Sequence, residues 1–141
     1  MAELKKLGEM CVGMVRDASK PVEDSSRKFQ IAVFMSRPLK LQIVETTRAL
    51  IADEQHWCRR HLAEDKNGVS VLPTSGSVVK RCGLGAVIAA AYELTNDYDA
   101  AHLLGHEVLR PHYSPATVIH VNDIRGHAAV LALFDEVIAA G

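Results

Sequence analysis

The stretch Val118-Ile119-His120-Val121-Asn122-Asp123-Ile124-Arg125-Gly126-His127 runs directly into the apolar segment Ala128–Ala140, and the rest of the chain is organised around it. Val118, Ile119 and Val121 are β-branched and favour an extended backbone. Asn122 and Asp123 end that run, because short polar side chains compete for nearby backbone N–H groups, and either can cap the helix that follows. His127, Leu131, Phe134 and Ile138 recur at helical spacing and share one face, flanked by Val130, Leu133 and Val137. His127 is the oddity, a titratable group on an apolar stripe. Read as packing, it is a core histidine whose ring nitrogens are satisfied locally. Read as chemistry, it is a base or ligand held on a rigid helix.

The segments before it predict further helices. Leu41 to about Glu64 carries Ile43, Leu50 and Trp57 seven residues apart, with Val44, Ile51 and Cys58 beside them, and reads as one long helix. Asn67-Gly68 ends it or makes a turn. Val69, Val71, Val78 and Val79 flank Pro73-Thr74-Ser75-Gly76, the pattern of a short hairpin or extended pair. Lys80-Arg81-Cys82-Gly83-Leu84-Gly85 leads into a helix over Ala86–Leu94, and Thr95-Asn96-Asp97 supplies caps for another, Tyr98–Leu109. Pro111 and Pro115 bound the loop before the extended run. At the other end, Leu4, Leu7, Cys11, Met14 and Val15 give a weak helical stripe, and Ser26–Met35 a second helix.

Composition narrows the function classes. The 141 residues suit one domain, and 48% hydrophobic with 23% charged residues is ordinary for a globular protein. A formal net charge of -1 and 5% aromatic residues argue against a nucleic-acid surface. No apolar run spans a bilayer and the N-terminus lacks a signal-peptide core, so no membrane association is expected. The cysteines are Cys11, Cys58 and Cys82, an odd number that suggests free thiols in a reducing cytoplasm.

Cys82 heads the candidate chemistry. It precedes a helix and follows Lys80 and Arg81, and helix N-termini and cations both favour a thiolate. Gly83 and Gly85 would leave backbone N–H groups open to an anion. With His127 as base and Asp123 or Asn122 as its orienter, a cysteine nucleophile has its parts. The competing reading is a small buried thiol where helix and loop meet, with glycines allowing close approach. His102 and His106 sit four apart on one helix face, with His112 following and His56, Cys58 and His61 forming a looser group. The zinc-protease pattern is absent, and these read as half-exposed surface histidines rather than a metal site. Gly83-x-Gly85 lacks the third glycine of a dinucleotide loop. Trp57 reads as a core anchor, or as a ligand contact.

The order of these motifs resembles a family of small bacterial proteins of unknown function: Trp57 at a helix end, Glu64-Asp65-Lys66-Asn67-Gly68 as an acidic-Gly turn, Cys82 opening a Gly-Ala helix, and Asn122-Asp123 before the last helix. The resemblance covers roughly residues 48–141. It implies that Trp57, Cys82, Asn122 and Asp123 belong together, and it carries no activity.

The expected fold is therefore mainly α, a single-domain bundle of about five or six helices with a short hairpin or extended pair. A helical arm over 1–37 precedes a core over 38–141, and its apolar residues suggest a homodimer. The expected role is a cytoplasmic, non-catalytic binding or regulatory module, with Trp57, Asn122, Gly83 and Gly85 as ligand contacts and no cofactor or metal. The alternative is a hydrolase or transferase using Cys82, His127 and Asp123.

Overall fold

The computed structural model describes residues 37–110 and 112–141. The expected arm over 1–37, with its helices, lies outside them save for its last residue. Five α-helices are present among the described residues: α1 Arg37–Leu50, α2 Gly83–Thr95, α3 Tyr98–Val108, α4 Pro115–His120 and α5 His127–Ala140. A two-residue antiparallel pair, β1 Ala63–Glu64 and β2 Lys80–Arg81, completes a mainly α fold with a small hairpin. No helix among these residues is long and apolar enough to cross a membrane.

The core is built on α2. Every residue from Gly83 to Ala91 is buried. A helix that is apolar all round must be covered all round, and α1, α3 and α4 pack against it. Phe134 and Val130 of α5, both 0% exposed, join the same cluster with Ile43, Ile51, Leu104 and Val118. Arg48 holds α5 to α1 at the surface, its Nε and Nη2 donating to the two carboxylate oxygens of Asp135 at 2.5 and 3.3 Å.

Four expectations are corrected. The long helix stops at Leu50. Asp53 then takes an extended backbone and caps a short 3₁₀ turn, Glu54–His56, by accepting from Gln55 N at 2.9 Å. The Ile51 carbonyl, which a continued helix would offer to residue 55, accepts instead from His127 Nε2 at 2.7 Å. Beyond it Trp57 bridges Arg81 in parallel fashion. The hairpin pairs at Ala63↔Arg81 and Glu64↔Lys80, outside the valines that suggested it. The run Val118–Val121 is not extended. Ser114 Oγ accepts from Thr117 N at 3.2 Å and Pro115 occupies the first turn, which starts α4. A π turn, Val121–Arg125, follows directly and ends at Gly126, whose φ of 105° a side-chain-bearing residue rarely adopts. Neither Asn122 nor Asp123 caps α5; Gly126 stands there without a side-chain cap.

Candidate functional site

The π turn points Asn122 into the protein, where it is 0% exposed. A side-chain amide has two acceptor lone pairs and two N–H donors. Asn122 Oδ1 accepts from Trp57 Nε1 at 2.7 Å and from Gly83 N at 2.9 Å, while Nδ2 donates to the Cys58 carbonyl at 3.1 Å and to Asp123 Oδ1 at 2.9 Å. Its capacity is full. One side chain thus ties together the turn after α1, the start of α2 and the π turn. Buried polar groups of this kind are costly unless satisfied, and here each finds its partner.

Asp123 extends the tie outward. Its Oδ1 also accepts from Arg60 N at 3.0 Å, and its carbonyl accepts from Arg59 Nη1 at 3.4 Å. The Arg59 guanidinium lies over the Trp57 ring, 5.2 Å from its centroid. On the other side, His127 tilts against Trp57 with ring centroids 5.2 Å apart. Because a carbonyl can only accept, the proton of His127 toward Ile51 sits on Nε2.

Cys82 is the N-cap of α2. Its Sγ accepts from Gly85 N at 3.3 Å, its carbonyl accepts from Ala86 N at 2.9 Å, and its own N–H donates to the Leu62 carbonyl at 3.0 Å. Gly85 is required here: a Cβ on it would lie 2.0 Å from Leu62 O. A Cβ on Gly83 would lie 2.8 Å from Val130 Cγ2. The two glycines let the 62–63 backbone and α5 approach the helix start, and their N–H groups are given to Cys82 and Asn122.

The thiols are shielded. Cys82 is 5% exposed, and burial pushes its thiol up from the ordinary range although the Gly85 and Leu84 N–H groups pull it down. Cys58 is pushed up to about 12, by burial first and then by Cys82 and Glu64. Its Sγ donates to the His61 carbonyl at 3.5 Å.

The structure therefore brings Trp57, Gly83, Asn122 and Asp123 into one bonded cluster with Cys58, and sets Cys82 and Gly85 beside it. Sequence reading missed Cys58 as a member of this cluster. It also missed Arg59 and Arg60, whose adjacency to Trp57 was the available signal. Cys82, His127 and Asp123 each bond elsewhere, to Gly85, Ile51 and Arg60 respectively. His102 and His106 stack with ring centroids 4.5 Å apart, next to Tyr98. No group of three or more metal-ligating side chains occurs among the described residues.

No curated protein and no solved structure matches the chain. Residues 35–140 match the family model DUF6197, described as a family of unknown function, and the chain belongs to that family.

Proposed function

We propose that this chain is a small cytoplasmic binding or regulatory module without catalysis, in which the Asn122 cluster is a structural lock. The observation that carries this reading is the state of Cys82. A nucleophilic thiol must be reachable and ionised near neutrality, whereas this sulfur is sealed at the head of α2 and burial favours its protonated form. The partners a cysteine hydrolase or transferase would need, His127 and Asp123, are committed to a backbone carbonyl and a backbone N–H. The free, buried thiols of Cys58 and Cys82 suit a reducing compartment. The test is alkylation of the folded protein by iodoacetamide near neutral pH, read residue by residue by mass spectrometry. The binding reading expects Cys58 and Cys82 to react far more slowly than a free thiol; rapid modification of Cys82 would restore the enzyme reading.

The family match begins at residue 35, which supports a core over 38–141 with a preceding arm over 1–37. In our reading the apolar side chains of that arm, Leu4, Leu7, Phe29, Ile31 and Phe34 among them, support a homodimer. Light scattering on the full chain and on a chain lacking residues 1–34 tests this: the full chain is expected to be dimeric and the shortened one monomeric, and a monomeric full chain at micromolar concentration contradicts it.

A further inference from the structure

The segments joined by the Asn122 lock carry side chains that the lock does not use. We propose that Arg59, Arg60 and Arg125, together with Ile124, form a docking site for an acidic segment of a partner protein, in which carboxylates flank a large apolar side chain. This assignment rests on the non-catalytic binding reading and names the chemistry of the partner.

All three arginines are exposed. Ile124 is 67% exposed, the most exposed large hydrophobic residue among those described. The guanidinium groups of Arg60 and Arg125 form no hydrogen bond or ion pair among the described residues. That of Arg59 makes one long bond, to the Asp123 carbonyl, and rests on Trp57, so most of its five donors remain available. Asp123 ties the two segments together, its Oδ1 accepting from Arg60 N and Asn122 Nδ2 and its carbonyl from Arg59 Nη1, while Ile124 and Arg125 follow it directly in the π turn.

The backbone supports the same conclusion. Arg60 has φ 71°, a left-handed conformation that a side-chain-bearing residue rarely adopts. Glycine or asparagine would meet the backbone requirement more cheaply, yet an arginine stands there with its head group unengaged. Strain of this kind is retained where the side chain it presents has a use. The strained residue is also fixed, because its N–H is held by Asp123 Oδ1, which is itself held by Asn122. Gly126, φ 105°, closes the π turn that exposes Ile124 and Arg125, and a side chain on it would crowd Arg59 Nη2 at 3.3 Å. A rim ordered before binding loses little conformational freedom on association.

The chemistry favours a protein segment over a nucleic acid. Guanidinium forks match carboxylates in bidentate geometry, and exposed Ile124 seeks an apolar neighbour. A nucleic-acid surface needs a longer basic stripe and open aromatic faces. Here the formal net charge is -1 and the single tryptophan lies beneath Arg59 with its N–H already bonded.

Trp57, being the sole tryptophan and in contact with Arg59, gives an internal reporter. The full chain is titrated with the hexapeptide Glu-Glu-Leu-Phe-Glu-Glu, with its glutamine counterpart and with a single-stranded oligonucleotide, read by Trp57 fluorescence and by anisotropy of fluorescein-labelled probes. The expected result is saturable binding of the acidic peptide alone, weakening with added salt. Arg125→Ala and Arg60→Gly are each expected to weaken it about five- to tenfold while thermal unfolding shows the fold intact. Absence of peptide binding, equal binding of the glutamine peptide, indifference to both substitutions, or an oligonucleotide bound as tightly as the peptide would overturn the assignment. Thiol alkylation separates the two levels: if Cys82 stays inert while the peptide fails, only the docking site falls, and if Cys82 reacts rapidly the binding reading falls with it.

Discussion

The indole Nε1–H of Trp57 donates to Oδ1 of Asn122 across 2.7 Å, in full burial and between residues 65 positions apart in the chain. Because Asn122 also serves Gly83 N and the Cys58 carbonyl, Asn122→Ala strands several buried groups at once. We expect it to cost about 3–5 kcal/mol, near the upper end for a single substitution. Asn122→Asp keeps the shape but turns a second oxygen toward the Cys58 carbonyl and Asp123 Oδ1. It should be comparably destabilising at neutral pH and partly recover on acidification, as protonation restores a donor. Urea midpoints at two pH values check both.

Gly85→Ala is expected to damage the fold severely, by about 3 kcal/mol or more, because its Cβ would meet the Leu62 carbonyl oxygen at 2.0 Å and that backbone is fixed by the Cys82 N–H. Gly76→Ala is the control. No atom lies within 4 Å of a Cβ there, and its stability should change little. Thermal unfolding of the pair measures the contrast.

Arg60→Gly should be neutral to stabilising. Relief of the left-handed backbone contributes about 1–2 kcal/mol, and the greater freedom of glycine in the unfolded chain removes about 0.5–1 kcal/mol. A net change of about 0 to 1.5 kcal/mol in favour of the folded state follows, measured as an unchanged or higher urea midpoint, with peptide binding weakened about five- to tenfold at the same time.

Stability should fall at both ends of the pH scale. The His106 imidazole is held below its ordinary value of 6.5, by burial first and then by His102 and Arg110. Its unfolded form binds the proton more readily, so stability is present above pH 6.5 and declines as pH drops through and below that point. At the alkaline end, Cys58 titrates near 12 against an ordinary 9.0. The folded state then holds a proton that the unfolded chain releases, and stability is lost as pH rises above 9.0. Unfolding free energies across pH should show His106→Gln flattening the acid limb and Cys58→Ala flattening the alkaline one.

Much of this architecture was readable in the residues where the signal is local. Asn96 takes the left-handed conformation that ends α2, and Asp97 Oδ1 accepts from Asp99 N and Ala100 N to open α3, as capping chemistry requires. The helix α5 likewise appears where its spacing placed it, but its buried face is Val130, Leu133, Phe134 and Val137, with Leu131 and Ile138 only partly buried at its edge. Where tertiary contacts decide, the reading failed. The seven-residue spacing of Ile43, Leu50 and Trp57 looks helical, but the helix ends because His127, distant in sequence, accepts the role of partner to the Ile51 carbonyl and because Trp57 pairs beside Arg81. Only Asp53 marked the stop locally. The β propensity of Val118, Ile119 and Val121 was outweighed by the Ser114-Pro115 helix start, a signal present in the sequence and passed over. At the site, the association of Trp57, Cys82, Asn122 and Asp123 was implied by the family resemblance, whereas the bonding that makes Asn122 its hub depends on a π turn that no local pattern announces.

A double-mutant cycle between Trp57 and Asn122 tests the lock most directly. Unfolding free energies are measured for Trp57→Phe, Asn122→Ala and the double variant. A buried, charge-free hydrogen bond inside a shared network should give a coupling of about 1–2 kcal/mol, the double variant being less destabilised than the two singles summed. A coupling indistinguishable from zero would contradict the lock and with it the ordered rim built upon it.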